Sequence, residues 1–407
     1  MASSAVPPSP PVMTSGDPRP SFGKFSPEFQ LLLACGRLEL EPRSTHEIER
    51  LLASELDLSL LLAVADRHRV LPLLHRHLVG RFSKALPAPF RQELTAQATA
   101  NAARNLQLFA ELKKLLTALE TRGVASVPFK GPVLALAVYG DLGLRQFCDL
   151  DVLIRRPDLP AAIDILRKLG YQPGLEFGAA EQRIYLANAC EFPLLHPDSA
   201  VLVELQWRFA PRHFSLRLDA DTVWPRTMLA TFGGTAFRTL SPEDLLLVLS
   251  VHGGKHGWER LGWICDLAQL IRSYPALDWE MTWRRAQKIG AVRLLALGLF
   301  LADRLLAAPL PEQMRHKLAG NPVLNRLADD VERKLTSAVA SAPTLPDHIL
   351  LARARERWRD RVAYLLRVVF TPGLNDCAAV PLPAALAPAY HLVRPGRILL
   401  KALQRQG

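Results

Sequence analysis

The segment FCDLDVLI, residues 147–154, sets Asp149 and Asp151 two residues apart inside an apolar run. Strand residues two apart point to the same face, so both carboxylates project together while Leu150 and Val152 turn into a core. Carboxylates in such a setting lose solvation and repel one another. Whatever fold the chain adopts must therefore bring compensating positive charge to that face.

The neighbouring sequence supplies candidates. VASVPF reads as a strand and GPVLALAVYG as a helix with Pro132 near its first turn. Lys130 and Gly131 fall between them. Glycine lets the backbone approach a ligand, and a helix start offers N–H groups and a positive dipole end to phosphate. Arg145, four residues before Asp149, is placed to contact phosphate or to pair with an aspartate. A later strand, VLVELQWRF at 201–209, turns Val201, Val203, Leu205 and Trp207 inward and Leu202, Glu204 and Gln206 outward. If it lies beside the Asp-x-Asp strand, three carboxylates converge. An isolated Asp-x-Asp more often marks a surface strand or turn. Hard carboxylates on a rigid element can hold one or two Mg²⁺ ions, which serve displacement at phosphorus.

Around this centre the chain is helical. The periodicity predicts helices from about 26 to 121, again from 241 to about 306, and a basic amphipathic helix near 349–369. The expected organisation is a disordered tail (1–25), a helical region (26–122), an α/β domain (123–240), a helical domain (241–345), and a C-terminal helix with a Pro-rich segment (346–407). The arginines of LLARARERWRDRVAYLLRVV are expected on a solvated face. That helix is expected to pack on the bundle in preference to an anionic membrane.

Fifty Lys and Arg against 39 Asp and Glu leave a net charge of +11, which favours anionic ligands. Nucleic acid is a less favoured partner than a nucleotide. A nucleic-acid binder would show affinity that falls steeply with salt and survives loss of the carboxylates. Five scattered cysteines with no C-x-x-C pair suit a reducing cytoplasm. The N-terminus has no signal-peptide core, and the apolar runs are too short to span a bilayer. His252 and His256 share a helix face, but Gly253 stands where a metalloprotease has Glu. Lys255 with either histidine makes a second anion contact. Trp258 and Trp263 read as core or lid packing. Asp266, among Ile264, Leu267 and Leu270, is suited to orienting a His or Lys, or to a buried ion pair.

FKGPVLALAVYGDLGLRQFCDLDVLI resembles the uncharacterised nucleotidyltransferase family of bacteria, within the polymerase-beta-like nucleotidyltransferase superfamily. Lys130, Gly131, Tyr139, Arg145, Asp149 and Asp151 carry the match. VELQWRF resembles a carboxylate-Leu-His-Trp strand with Glu204 as third acid, and Gln206 stands in place of the His. HGGKHGWERLGWICDLAQL and the C-terminal LPAALAPAYHLVRPGR resemble further blocks. The superfamily's Gly-Ser turn is Lys-Gly here.

The resemblance implies an α+β fold, with a small mixed nucleotidyltransferase-like sheet flanked by helical regions. It implies transfer of a nucleoside monophosphate from an NTP to an acceptor hydroxyl on a small molecule, peptide or protein. Asp149, Asp151 and Glu204 would bind two Mg²⁺ ions, while Lys130, Gly131, Arg145 and Lys255 hold the nucleotide. The alternative on the same fold is a catalytically weak protein that senses nucleotide or holds a partner.

Overall fold

The structure is a computed structural model that describes residues 24–174, 178–232, 234–337 and 345–404. The expected tail lies almost wholly outside the described residues. Five strands form one mixed sheet in the order β1-β2-β5-β4-β3: β1 (Ser126–Pro128), β2 (Asp149–Ile154), β3 (Gln172–Pro173), β4 (Glu191–His196) and β5 (Val201–Gln206). Strands β2 and β5 run parallel, and the other pairings are antiparallel. A separate hairpin joins β6 (Met228–Phe232) to β7 (Thr235–Thr239).

Alternation along β2 and β5 decides which way the sheet faces. Leu150, Val152 and Ile154 join Val201, Val203 and Leu205 in a core shared with helices Ala88–Thr121 and Leu159–Lys168. Val127 and Leu153 face the opposite way, into the larger core of the flanking helices. Asp149, Asp151 and Glu204 also lie on that second side, so the polar patch sits where sheet meets helical bundle.

The bundle closes over the patch through helices Pro242–Lys255 and Leu261–Ser273. Gly253 and Gly254 weaken the first as an isolated helix, yet packing requires them. A Cβ at Gly253 would lie 2.4 Å from the Trp258 ring, and one at Gly254 2.6 Å from Leu294. Trp258 is fully buried, a core residue as expected.

The basic helix predicted near 349–369 is instead two helices, Leu345–Arg353 and Trp358–Phe370. Arg355, expected on a solvated face, is 1% exposed at the break between them. Its guanidinium lies 4.9 Å from the Phe214 ring and 5.4 Å from that of Tyr364, and Nε, Nη1 and Nη2 have no hydrogen-bond partner among the described residues. Burial pushes its pKa down to about 10. Ring contacts compensate only partly for a desolvated guanidinium. Arg355→Met is therefore expected to leave the urea midpoint unchanged or to raise stability by up to about 2 kcal/mol. A loss of about 3 kcal/mol or more would contradict this view of the site.

Candidate active site

The Lys-Gly turn is built against the start of β2. Gly131 has φ 51°, a left-handed backbone, and a Cβ there would sit 3.1 Å from the Asp149 carbonyl oxygen. Helix Gly131–Leu134 then opens into a π turn, Ala135–Tyr139, ended by Gly140 at φ 72°. This geometry points Lys130 back over the sheet. Its Nζ donates to Asp151 Oδ1 at 2.8 Å.

The parallel register sets Asp151 opposite Glu204 and Asp149 opposite Leu202. Gln206, one alternation on from Glu204, donates through Nε2 to Asp151 Oδ1 at 2.5 Å and to Glu204 Oε2 at 3.2 Å. The amide thus bridges two of the three acids. The antiparallel β4 adds Glu191 opposite Gln206. All four carboxylates line one cleft of about 180 Å³.

The cleft is short of positive charge at its acidic end. Burial, then Asp151, pushes the Asp149 carboxyl up, with Lys130 and Arg145 opposing. Burial, then Asp151, Glu191 and Asp149, pushes Glu204 up to about 8. Burial by itself would lower Lys130, but Asp151, Asp149 and Glu204 together hold it above its ordinary value. Lys130 pairs with Asp151 and Lys255 lies beside Glu191, which leaves Asp149 and Glu204 without a paired cation among the described residues, and hard oxygen donors of this kind suit a divalent cation. Among the described residues, no three His, Cys, Asp or Glu side chains are gathered as a metal-binding set. The donor chemistry fits a cation, while Asp151 is engaged by Lys130 and Gln206.

In the cation-free protein, Glu204 binds its proton more tightly folded than unfolded. Its contribution to stability is complete below about pH 4.5 and is lost as pH rises toward about 8. Glu204→Gln should remove that slope. The stability difference, variant minus wild type, should grow from pH 5 to 8 in chelator-treated protein. A pH-independent difference would show that Glu204 titrates normally.

Arg145 reaches the cleft, but its fork closes on Asp266: Nε to Oδ1 and Nη2 to Oδ2, both 2.9 Å. Tyr139 donates its hydroxyl to the same Oδ1 at 2.9 Å. Asp266 therefore orients Arg145, not a histidine or lysine. Arg145 pairs with this distant aspartate and not with Asp149 or Asp151, and its Nη1 has no hydrogen-bond partner among the described residues. Lys255 also lines the cleft, with Nζ 3.9 Å from Glu191 Oε2.

His252 meets His256 and Trp263 edge-to-face, with ring centroids 4.8 and 5.2 Å apart, and His256 lies tilted against Trp263 at 5.2 Å. Burial, then nearby lysines, holds His252 well below its ordinary value and His256 at about 3. They are neutral donors or acceptors on the cleft wall. Trp263 lines the same wall.

Sequence reasoning did not single out Glu191, Arg69 or Cys148, which also line the cleft. Arg69 has φ 59°, unusual for a non-glycine residue. With Arg260 it also borders an adjoining cavity of about 160 Å³ that includes Arg67.

A family model described as "Uncharacterised nucleotidyltransferase" matches residues 54–307, more than half of the chain. Two solved structures are similar to parts of it. The solution structure of the antibiotic-resistance factor ANT(2'')-Ia is 16% identical, covers 50% of this chain and 90% of its own, and gives a TM-score of 0.27. An antigenic nucleotidyltransferase-like protein from Paracoccidioides brasiliensis is 16% identical, with 51% and 96% covered and a TM-score of 0.33. No curated protein matches the chain.

Proposed function

Because the chain belongs to the uncharacterised nucleotidyltransferase family, we propose that it moves a nucleoside monophosphate from an NTP to an acceptor hydroxyl. The carrying observation is the parallel pairing that sets Asp151 opposite Glu204 beside Asp149 in one cleft. The acceptor oxygen attacks the α-phosphorus, the bond to the β-phosphate bridging oxygen breaks, and pyrophosphate leaves. Divalent cations held by Asp149, Asp151 and Glu204 would supply charge neutralisation at both the attacking and leaving oxygens.

The chain's own groups have separable roles. Lys130 balances Asp151 and lies where it can also meet a phosphate. Gly131 lets backbone approach, and Arg145 offers its unpaired Nη1 while Asp266 holds the rest of the guanidinium. Glu204, kept ionised when cations are bound beside it, accepts the proton of the acceptor hydroxyl. Small-molecule sites usually span about 300–1,000 Å³. The 180 Å³ cleft therefore accommodates the polyphosphate end. The adjoining cavity, sharing Arg69 and Arg260, extends the space for the remainder.

A second reading, a nucleotide-sensing or partner-holding protein of little activity, is favoured by one observation. Asp151 Oδ1 already accepts from both Lys130 and Gln206. The test is incubation with each α-labelled NTP, Mg²⁺ and cell extract. A labelled acceptor that Asp149→Ala fails to produce supports transfer. NTP binding without any labelled acceptor supports the second reading.

A further inference from the structure

The C-terminal helices carry an apolar face that no described part of the chain covers. On helix Trp358–Phe370, Trp358, Val362, Leu365, Leu366 and Phe370 follow three- and four-residue spacing. They are 68, 45, 44, 53 and 44% exposed. The other side of the helix does the structural work: Tyr364 is fully buried and Val368 packs on the larger core. The helix is therefore apolar on two sides, and only one side is used in folding. Leu386 and Leu392 extend the exposed surface. An isolated exposed leucine needs no explanation, whereas a continuous stripe does.

Where the stripe ends, a cavity of about 500 Å³ opens. Leu366, Phe370 and Pro388 line it together with Arg183, Arg212 and Arg367. This cavity is larger than the acidic cleft and shares none of its lining residues.

Positive charge predominates around this face, with Asp360 a half-buried acid in the first turn of the same helix. Residues 345–404 hold nine Lys or Arg against four Asp or Glu. Two of the acids are spent internally. Asp376 is buried against Arg394 and Arg397, and Glu356 accepts from the N–H groups of Val292 and Arg293. Arg353, Arg357, Arg359 and Arg367 are exposed. A second copy would set like charge against like. An anionic bilayer surface matches both features, taking the apolar stripe at the acyl boundary and the arginines at the phosphates. No helix among the described residues is long and apolar enough to cross a membrane, so the contact is interfacial.

We propose that this face docks the protein on an anionic membrane surface, with helix Trp358–Phe370 along the interface and the adjoining cavity taking one anionic phospholipid. The arrangement is independent of whether the acidic cleft transfers nucleotides.

The test is co-sedimentation of the full chain with phosphatidylcholine vesicles, with and without phosphatidylglycerol. Partitioning is expected to rise at least about tenfold with the anionic lipid and to weaken with salt. A Val362→Asp, Leu366→Asp double variant should lose it while keeping its circular dichroism and melting temperature. Three results would overturn the proposal. The wild type could ignore anionic vesicles, leaving the face to a protein partner. The double variant could bind as well as wild type. Sedimentation velocity could reveal a dimer that the double variant dissociates, which would assign the face to self-association.

Discussion

Asp149→Asn should abolish nucleotide transfer without weakening the fold. Asp149 lies at the start of β2, half-buried, and burial with repulsion from Asp151 already disfavours its charge. Removing that charge relieves Asp151 and Glu204, so the melting temperature of the cation-free variant should hold or rise. Its activity should fall by at least about a thousandfold, equivalent to about 4 kcal/mol of transition-state stabilisation, if Asp149 is a cation ligand as proposed. Asp151→Asn should behave differently. It too loses activity, but it strips Lys130 of its ion pair and alters the hydrogen bond with Gln206. A buried ammonium without its partner costs stability, so this variant should melt lower. Paired measurements of turnover and thermal unfolding separate the two positions. Equal losses of stability would show that Asp149 is held by partners other than those described.

The second large effect concerns the ion pair behind the cleft. Asp266 is 2% exposed and accepts two bonds from Arg145 and one from Tyr139. Asp266→Ala strands a guanidinium in a setting where burial opposes charge, and it leaves a buried phenol without its acceptor. The expected cost is about 3–5 kcal/mol, read from urea unfolding. An Arg145→Met, Asp266→Leu double variant should recover most of it, since apolar residues of similar volume often replace a buried pair without loss. If the double variant is no more stable than Asp266→Ala, the pair is holding more of the fold than its own charges.

The acidic half of the site was legible in the sequence because it is local. Period-two alternation fixes which way Asp149 and Asp151 point, and again Glu204. The residue types around Lys130 and Gly131 announce a turn between strand and helix. Register between β2 and β5 was not legible, since 51 residues separate Asp149 from Val201 and only the sheet aligns them.

Glu191 was missed for a physical reason. Its strand carries Pro193, which cannot donate to a ladder and argues against an interior strand, yet β4 lies between β5 and β3. The very short β3 pairs only Gln172 and Pro173 with it. The partner of Arg145 was equally hidden. Asp266 is 121 residues downstream, and helical periodicity marks it as buried without saying what it meets. The sequence places Gln206 where the resembled family has His, but its bridge between Asp151 and Glu204 depends on the rotamers the side chains adopt. Arg355 shows the opposite failure. A run of alternating arginines reads as a wet surface, but the chain breaks there and turns one of them inward.

The most direct measurement is calorimetric binding of a non-hydrolysable NTP analogue, titrated with Mg²⁺ and again with chelator, to wild type, Asp149→Asn and Glu204→Gln. The account predicts cation-dependent binding by the wild type that both variants lose. Binding of equal strength in chelator, or binding that survives in Asp149→Asn and Glu204→Gln, would contradict a carboxylate-held cation site.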